Sequence, residues 1–319
     1  MTAKTNLMMG DSRTVYAQTL LEMMEEGKPV VVVEADLMRA AGTAPVFERY
    51  PERAFNVGVA EQNGVGVAAG LADMGLIPFF DTFAVLLCRR SVDQVWMAAC
   101  FNKKNVKLNA LESGFTAGTN GVTHQALEDI SMLRAIPNIV IVEPADCTEL
   151  AQAVRAAAEY VGPVYLRNVR SELPVILSED QPPFRIGQAV MLRPGNDVTI
   201  VASGIMAQYA LHAADLLTDE GIAARVVNPR TIKPLDDEMI LQCARETGAI
   251  VTVENHSITG GLGGVIAEFL AENCPTPLKR VGVRNKFGNA GNFAYLIHLY
   301  EMDTPYIVAA VKEVLTRKK

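Results

Sequence analysis

Residues 55–75 read Phe55-Asn56-Val57-Gly58-Val59-Ala60-Glu61-Gln62-Asn63-Gly64-Val65-Gly66-Val67-Ala68-Ala69-Gly70-Leu71-Ala72-Asp73-Met74-Gly75. A short apolar strand pattern runs into one carboxylate, Glu61, and then into a helical pattern with hardly any side-chain bulk on one face. A glycine inside a helix costs about 1 kcal/mol relative to alanine. Gly64, Gly66 and Gly70 therefore call for compensation, most simply close packing against a second helix or subunit. An acid at the head of such a helix sits in a rigid, poorly hydrated place and is a candidate for proton transfer. The same pattern also fits an ordinary acid that complements a helix N-terminus.

Upstream, Ser12 reads as a helix cap before apolar residues at Val15, Leu20, Leu21 and Met24. Pro29 to Val33 is a β-branched run of the kind found in strands covered on both faces. It leads to Asp36, and ligands in open parallel sheets gather at the carboxyl ends of strands. Downstream, Leu76 to Phe80 reads as another strand, with Asp81-Thr82-Phe83 leading into a helix that runs to about Phe101. Phe80 and Phe83 could wall a flat ring or simply pack the core. After the strand pattern Val106 to Leu111 comes a turn-rich loop from Ser113 to Gln125, the kind of loop that carries function on a rigid sheet. It holds His124, one of only four histidines, as a general acid, a hydrogen-bond donor or a plain helix-entry residue.

Strand Ile139 to Val142, helix Asp146 to Glu159 and strand Val164 to Arg167 complete an alternating βα series, which predicts a doubly wound α/β domain. Three prolines between Ser171 and Phe184 mark a linker. A second series follows: strands Val198 to Ala202, Ala224 to Val227, Ala249 to Val253 and Lys279 to Val283, with helices between them and one more to the C-terminus. The expected fold is thus two doubly wound α/β domains, residues 1–178 and 179–319. Gly260-Gly261-Leu262-Gly263-Gly264 lacks the G-x-G-x-x-G order of a dinucleotide loop and reads as a helix entry or subunit contact.

The 319 residues are half hydrophobic and 20% charged, with a net charge of −7. That composition suits about two well-packed globular domains and argues against a nucleic-acid surface. The five cysteines are scattered without a Cys-x-x-Cys pair, which suggests neither a disulfide framework nor a zinc site. No leader pattern or long apolar run is present, so a cytoplasmic protein is expected.

Taken in order, Val59-Ala60-Glu61-Gln62-Asn63, Thr82-Phe83, Val92-Asp93-Gln94, Thr123-His124-Gln125-Ala126-Leu127-Glu128-Asp129, Arg134-Ala135-Ile136-Pro137-Asn138 and Gly260-Gly261-Leu262-Gly263 follow one another as in transketolases. From about Val30 onward the chain resembles the C-terminal half of split transketolases, thiamine diphosphate enzymes made as two polypeptides. The resemblance implies that the first domain binds the pyrimidine end of thiamine diphosphate and that the second is mainly structural. It implies Glu61 as the acid that protonates the aminopyrimidine ring and so activates the cofactor. Phe80 and Phe83 match the aromatic wall around that ring, Asp36 a loop acid that contacts the cofactor, and His124 a histidine bonded to the sugar near its reacting carbon. The family's diphosphate and magnesium site carries Gly-Asp-Gly, which this chain lacks. The resemblance therefore implies inactivity alone, Mg2+ or Ca2+ held by an N-terminal partner subunit, and an α2β2 heterotetramer.

Three departures bear on the substrate. Where the family usually has Gly-Glu-Asp-Gly, with the Asp reading a hydroxyl, this chain has Gly118-Thr119-Asn120-Gly121. Glu112 stands at the position of a phosphate-binding His, and Ala40 at that of a phosphate-binding Ser. Arg170 matches the arginine that completes the set, with Arg39 and Arg167 as possible substitutes. A carboxylate facing phosphate repels it unless paired, so the far end of the sugar is expected to be bound in a non-standard way. Two other readings remain: the β subunit of a 2-oxo acid dehydrogenase, and a non-catalytic assembly subunit.

Overall fold

Val30 to Glu34 form a strand of five consecutive buried residues, as a parallel strand covered on both faces requires. In the computed structural model, residues 9–177 and 181–318 are described, and the expected division at 178/179 lies outside them. Before it come β1 (Met9–Asp11), β2 (Val30–Glu34), β3 (Ala54–Asn56), β4 (Ile77–Phe83), β5 (Lys107–Leu111), β6 (Val140–Val142), β7 (Val164–Arg167) and β8 (Glu172–Pro174). After it come β9 (Val190–Arg193), β10 (Val198–Ala202), β11 (Ala224–Asn228), β12 (Thr231–Lys233), β13 (Ile250–Ser257) and β14 (Leu278–Val283).

Seven strands form one sheet in the order β12-β6-β7-β5-β4-β2-β3, and five form a second in the order β14-β13-β10-β11-β9. Neighbouring strands are parallel except β12 beside β6 and β9 beside β11. The first sheet reverses direction around β2, with β3 on one side and β4 on the other. At such a switch point the loops diverge and leave a crevice. One side of this sheet is covered by helix Ser12–Glu25 and helix Cys147–Glu159. The helix Glu61–Asp73 and the apolar run beyond β4 contribute to a larger core. That core also takes in Ile232, Ile240, Leu262 and Ile266, so both halves of the chain share it.

Three local expectations change. Asp81, Thr82 and Phe83 continue β4 instead of leaving it, because pairing with β5 is unbroken as far as Phe83, while pairing with β2 reaches Asp81. The cap of the first helix is Asp11, whose carboxylate accepts from the Arg13 backbone, while the Ser12 hydroxyl donates to the Val169 carbonyl. The run to Phe101 is not one α-helix, since Leu86–Arg90 and Val95–Phe101 are wound as π-helix. Such widened turns recur at functional sites.

The halves are also locked by charge. Arg167, at the end of β7, is fully buried and donates to Asp129 at 2.9 Å, to Glu143, and to the Asn255 carbonyl on β13 at 2.8 Å. Arg167 therefore cannot reach a substrate, which corrects its expected role as a substitute anion ligand.

A second buried charge cluster lies between strands. Glu34 and Asp81 are register partners. Tyr16 and Asn109 both donate to Asp81 Oδ1 at 2.6 Å, and Thr43 donates to Glu34. Burial pushes Asp81 up to about 7 even against its two donors, and burial and the Asp81 charge push Glu34 well above its ordinary 4.5. The donors keep Asp81 the more acidic of the two, which leaves the proton on Glu34. A carboxyl with a raised folded pKa contributes stability that is present below its unfolded pKa and lost as pH rises toward the folded value. Glu34→Gln mimics the protonated form. Its unfolding free energy relative to wild type should climb between pH 5 and 8, by up to about 1.4 kcal/mol per pH unit, as read by chemical denaturation; parallel profiles would refute the proton on Glu34.

Candidate active site

The parallel strands bring their carboxyl ends, and most of the expected site residues, to one edge of the first sheet. Glu61 opens the helix after β3 and is 1% exposed. Its Oε2 accepts from Arg90 Nη1 at 2.7 Å. Gly64, one turn on, lies against the Phe80 ring: a Cβ there would stand 2.3 Å from Cε2. Only glycine lets the helix sit so close, and this contact fixes Glu61 against the strand ends. Phe80 is itself 0% exposed. It supports the Glu61 helix from below and presents no face to the crevice, which corrects its expected place in an aromatic wall.

Phe83, the last residue of β4, meets the His124 ring edge-on with centroids 5.6 Å apart. The Arg170 guanidinium lies 5.9 Å from the same ring centroid, and Arg170 Nε is 2.5 Å from Glu112 Oε1. The chain thus draws together Phe83 at the end of β4, Glu112 just after β5, Arg170 three residues after β7, and His124 from the Ser113–Gln125 loop. That loop is wound into 3-10 turns, Gly114–Asn120 and Val122–His124. Glu112 is buried in a left-handed conformation with φ of 59°, rare for a residue with a side chain. Burial pushes its carboxyl above the usual range, against the pull of Arg170 and, more weakly, Arg13.

Asp36, just beyond β2, is exposed and also left-handed, with φ of 61°. Its backbone N–H donates to Asn56 Oδ1 at 3.2 Å, and Asn56 Nδ2 donates to its carboxylate at 3.3 Å. Arg39 lines a cavity with Asp11 and Arg13 beside the first helix. Asn120 is exposed at the end of its 3-10 turn. Ala40 carries no polar group.

Three residues at this edge escaped the sequence reading: Arg90, which pairs with Glu61; Arg13, whose charge reaches Glu112; and Asn56, which braces Asp36. The signal for the first was the Arg89-Arg90 pair breaking an otherwise apolar run. For the others no pattern pointed beyond a helix start and a strand end.

A doubly wound parallel sheet with a buried carboxylate, Glu61, heading a helix beside its switch point defines the class as an α/β protein. Comparison with known proteins makes that specific. Residues 9–175 match the transketolase pyrimidine binding domain and residues 187–307 the transketolase C-terminal domain. The chain belongs to the transketolase family and is a transketolase-type enzyme subunit. It is 45% identical, over 96% of this chain and 95% of the relative, to a 6-deoxy-6-sulfo-D-fructose transketolase subunit from Clostridium sp. (strain MSTE9). An apulose-4-phosphate transketolase subunit from Phocaeicola vulgatus (strain ATCC 8482 / DSM 1447 / JCM 5826 / CCUG 4940 / NBRC 14291 / NCTC 11154) is 35% identical over 91% of this chain and 93% of its own. A solved structure described as a split gene transketolase, inactive beta4 tetramer, superposes with a TM-score of 0.89 at 43% identity, covering 97% of this chain and 99% of that one. These likenesses favour the transketolase reading over a 2-oxo acid dehydrogenase subunit. Thiamine diphosphate dependence comes with the family.

Proposed function

We propose that this chain is the C-terminal subunit of a two-polypeptide transketolase, moving a two-carbon ketol unit from a ketose to an aldose, with Glu61 as its catalytic acid. The observation that carries this reading is the buried Glu61 carboxylate, held between Arg90 and the tightly seated Gly64 turn at the sheet's switch point. The residues present suit the pyrimidine end of the cofactor: a fixed carboxylate to meet a ring nitrogen and the Phe83 ring beside it. When bound, thiamine diphosphate supplies a nucleophilic ring carbon that holds the ketol unit between donor and acceptor. Glu61 shares a proton with the pyrimidine nitrogen, and burial keeps water from competing for it. Asp36, braced by Asn56, borders the cofactor's end of the crevice. His124, steadied by Thr123 Oγ1 at 3.0 Å and by the Phe83 edge, bonds the sugar near its reacting carbon. Asn120, Arg39, Glu112 and Arg170 line the route to the far end of the sugar.

The diphosphate and its Mg2+ or Ca2+ are assigned to an N-terminal partner subunit in a cytoplasmic α2β2 assembly. Support comes from the outer face of the Glu61–Asp73 helix. Gln62, Gly66 and Gly70, four residues apart and so on one face, are all exposed, and a Cβ at either glycine meets nothing within 4 Å. The neighbouring run exposes Trp96, Met97 and Phe101, with Trp96 stacked on Phe101. Such a face suits close approach of another subunit. Gly66→Leu with Gly70→Leu should stabilise the isolated chain by about 1 kcal/mol or more through helix propensity, yet abolish assembly in size-exclusion chromatography. Normal assembly would move the interface elsewhere.

The direct test is co-purification with the partner, followed by a ketol-transfer assay with thiamine diphosphate and Mg2+ over a panel of sugars. Transfer by the complex and none by the chain alone is expected; activity of the lone chain, or carbon dioxide release from 2-oxo acids without ketol transfer, would overturn the reading.

A further inference from the structure

We propose that the Glu112–Arg170 pair selects the charge of the sugar's far end, favouring a monoanionic group such as a sulfonate over a dianionic phosphate-type group. This inference rests on the transketolase reading and specifies the substrate class of the same crevice. Arg170 is ion-paired with Glu112, Nε standing 2.5 Å from Oε1. Its two Nη groups have no hydrogen-bond partner among the described residues, and its side chain remains 27% exposed. The guanidinium thus keeps a pair of donors for an oxyanion beside the Phe83 ring, which also borders His124. One ring, Phe83, thus lies next to both Arg170 and His124.

A lone arginine there would attract any anion, and a dianion most. Glu112 changes the sum. It is buried next to that guanidinium, so its charge is little screened and acts directly on whatever Arg170 holds. Arg13 adds a positive charge near Glu112 but is itself paired with Asp11 at 3.3 Å. The repulsion from Glu112 cancels much of the Arg170 attraction for either ligand, while the cost of taking an anion out of water grows as the square of its charge. The attraction that is left offsets the desolvation cost of the monoanion but not the larger one of the dianion. A sulfonate holds one charge at all ordinary pH values, whereas a phosphoryl group approaches two above its second pKa of about 6. Both present three terminal oxygens in the same tetrahedral arrangement, so geometry alone discriminates weakly. The left-handed backbone of Glu112 is the kind of strain that folds retain at functional positions.

The test uses the reconstituted two-subunit enzyme at pH 8 with two ketose donors matched in shape, 6-deoxy-6-sulfo-D-fructose and 6-deoxy-6-phosphono-D-fructose, and D-fructose as the uncharged reference. Wild type should show kcat/KM for the sulfonate about 10-fold or more above that for the phosphonate. Glu112→Gln should bring the ratio close to one by raising the phosphonate relative to the sulfonate. The ratio is internal to each preparation, so partial misfolding of the variant does not distort it. Because the wild-type comparison stands alone, a phosphonate preference there overturns the proposal even if the variant cannot be made. Equal changes for both donors in Glu112→Gln overturn it too. Transfer from none of the three donors, nor from any sugar in the wider panel, would instead refute the transketolase reading itself.

Discussion

Glu61→Gln in the assembled enzyme is expected to lower kcat by about 100-fold or more, with little change in assembly or melting temperature. Glutamine keeps the side chain's size and one carbonyl oxygen for Arg90 Nη1, now 2.7 Å from Oε2, but it cannot give up or take a proton. Positioned acid–base groups contribute about 10²–10⁴-fold to rate, and Glu61 is the one buried carboxylate at the head of the crevice helix. Steady-state kinetics on the complex measures this. Turnover within a few-fold of wild type, by Glu61→Gln or Glu61→Ala, would favour a non-catalytic assembly role.

Removing Arg167 is expected to be the most damaging single change to stability. Arg167→Leu strips the counter-charge from Asp129 and Glu143 and a donor from the Asn255 carbonyl. Burial works against the charged form of Asp129, yet Arg167 and, to a lesser degree, His256 hold its carboxyl below the usual range. Without the guanidinium that carboxylate is left uncompensated in the interior. Breaking a buried ion pair in this way costs about 3–5 kcal/mol. Replacing all three charges together, as Arg167→Met with Asp129→Asn and Glu143→Gln, should recover most of the loss, because desolvated charge rather than contact area drives it. Chemical denaturation of the three proteins would show the order; a triple variant no better than Arg167→Leu would mean that packing, not charge, is responsible.

Sequence alone carried the alternation of strands and helices, the covered β-branched strand at Val30 to Val33, and the placement of Asp36 and Glu61 beyond strand patterns, because each depends on local periodicity. Those signals are written in neighbouring residues. It could not separate Arg167 from Arg170, three positions apart, or Phe80 from Phe83. On a strand, residues three apart cannot share a face, and where β4 and β7 stop was decided by pairing with their neighbours: Asp81, Thr82 and Phe83 stay in β4 because β5 extends alongside all three. The seven-stranded sheet's last strand, Thr231–Lys233, comes from the second half of the chain, a crossing that no window of sequence contains.

Glu61 illustrates the same division. Its residue type, its place before a small-residue helix and its family role were legible in residues 55–75. That Arg90 would hold it, that Gly64 would press on Phe80, and that Glu112 would meet Arg170 beside Phe83 were settled only when the chain closed on itself. Each of these contacts joins segments far apart in sequence, and the burial that gives their charges weight exists only in the packed interior.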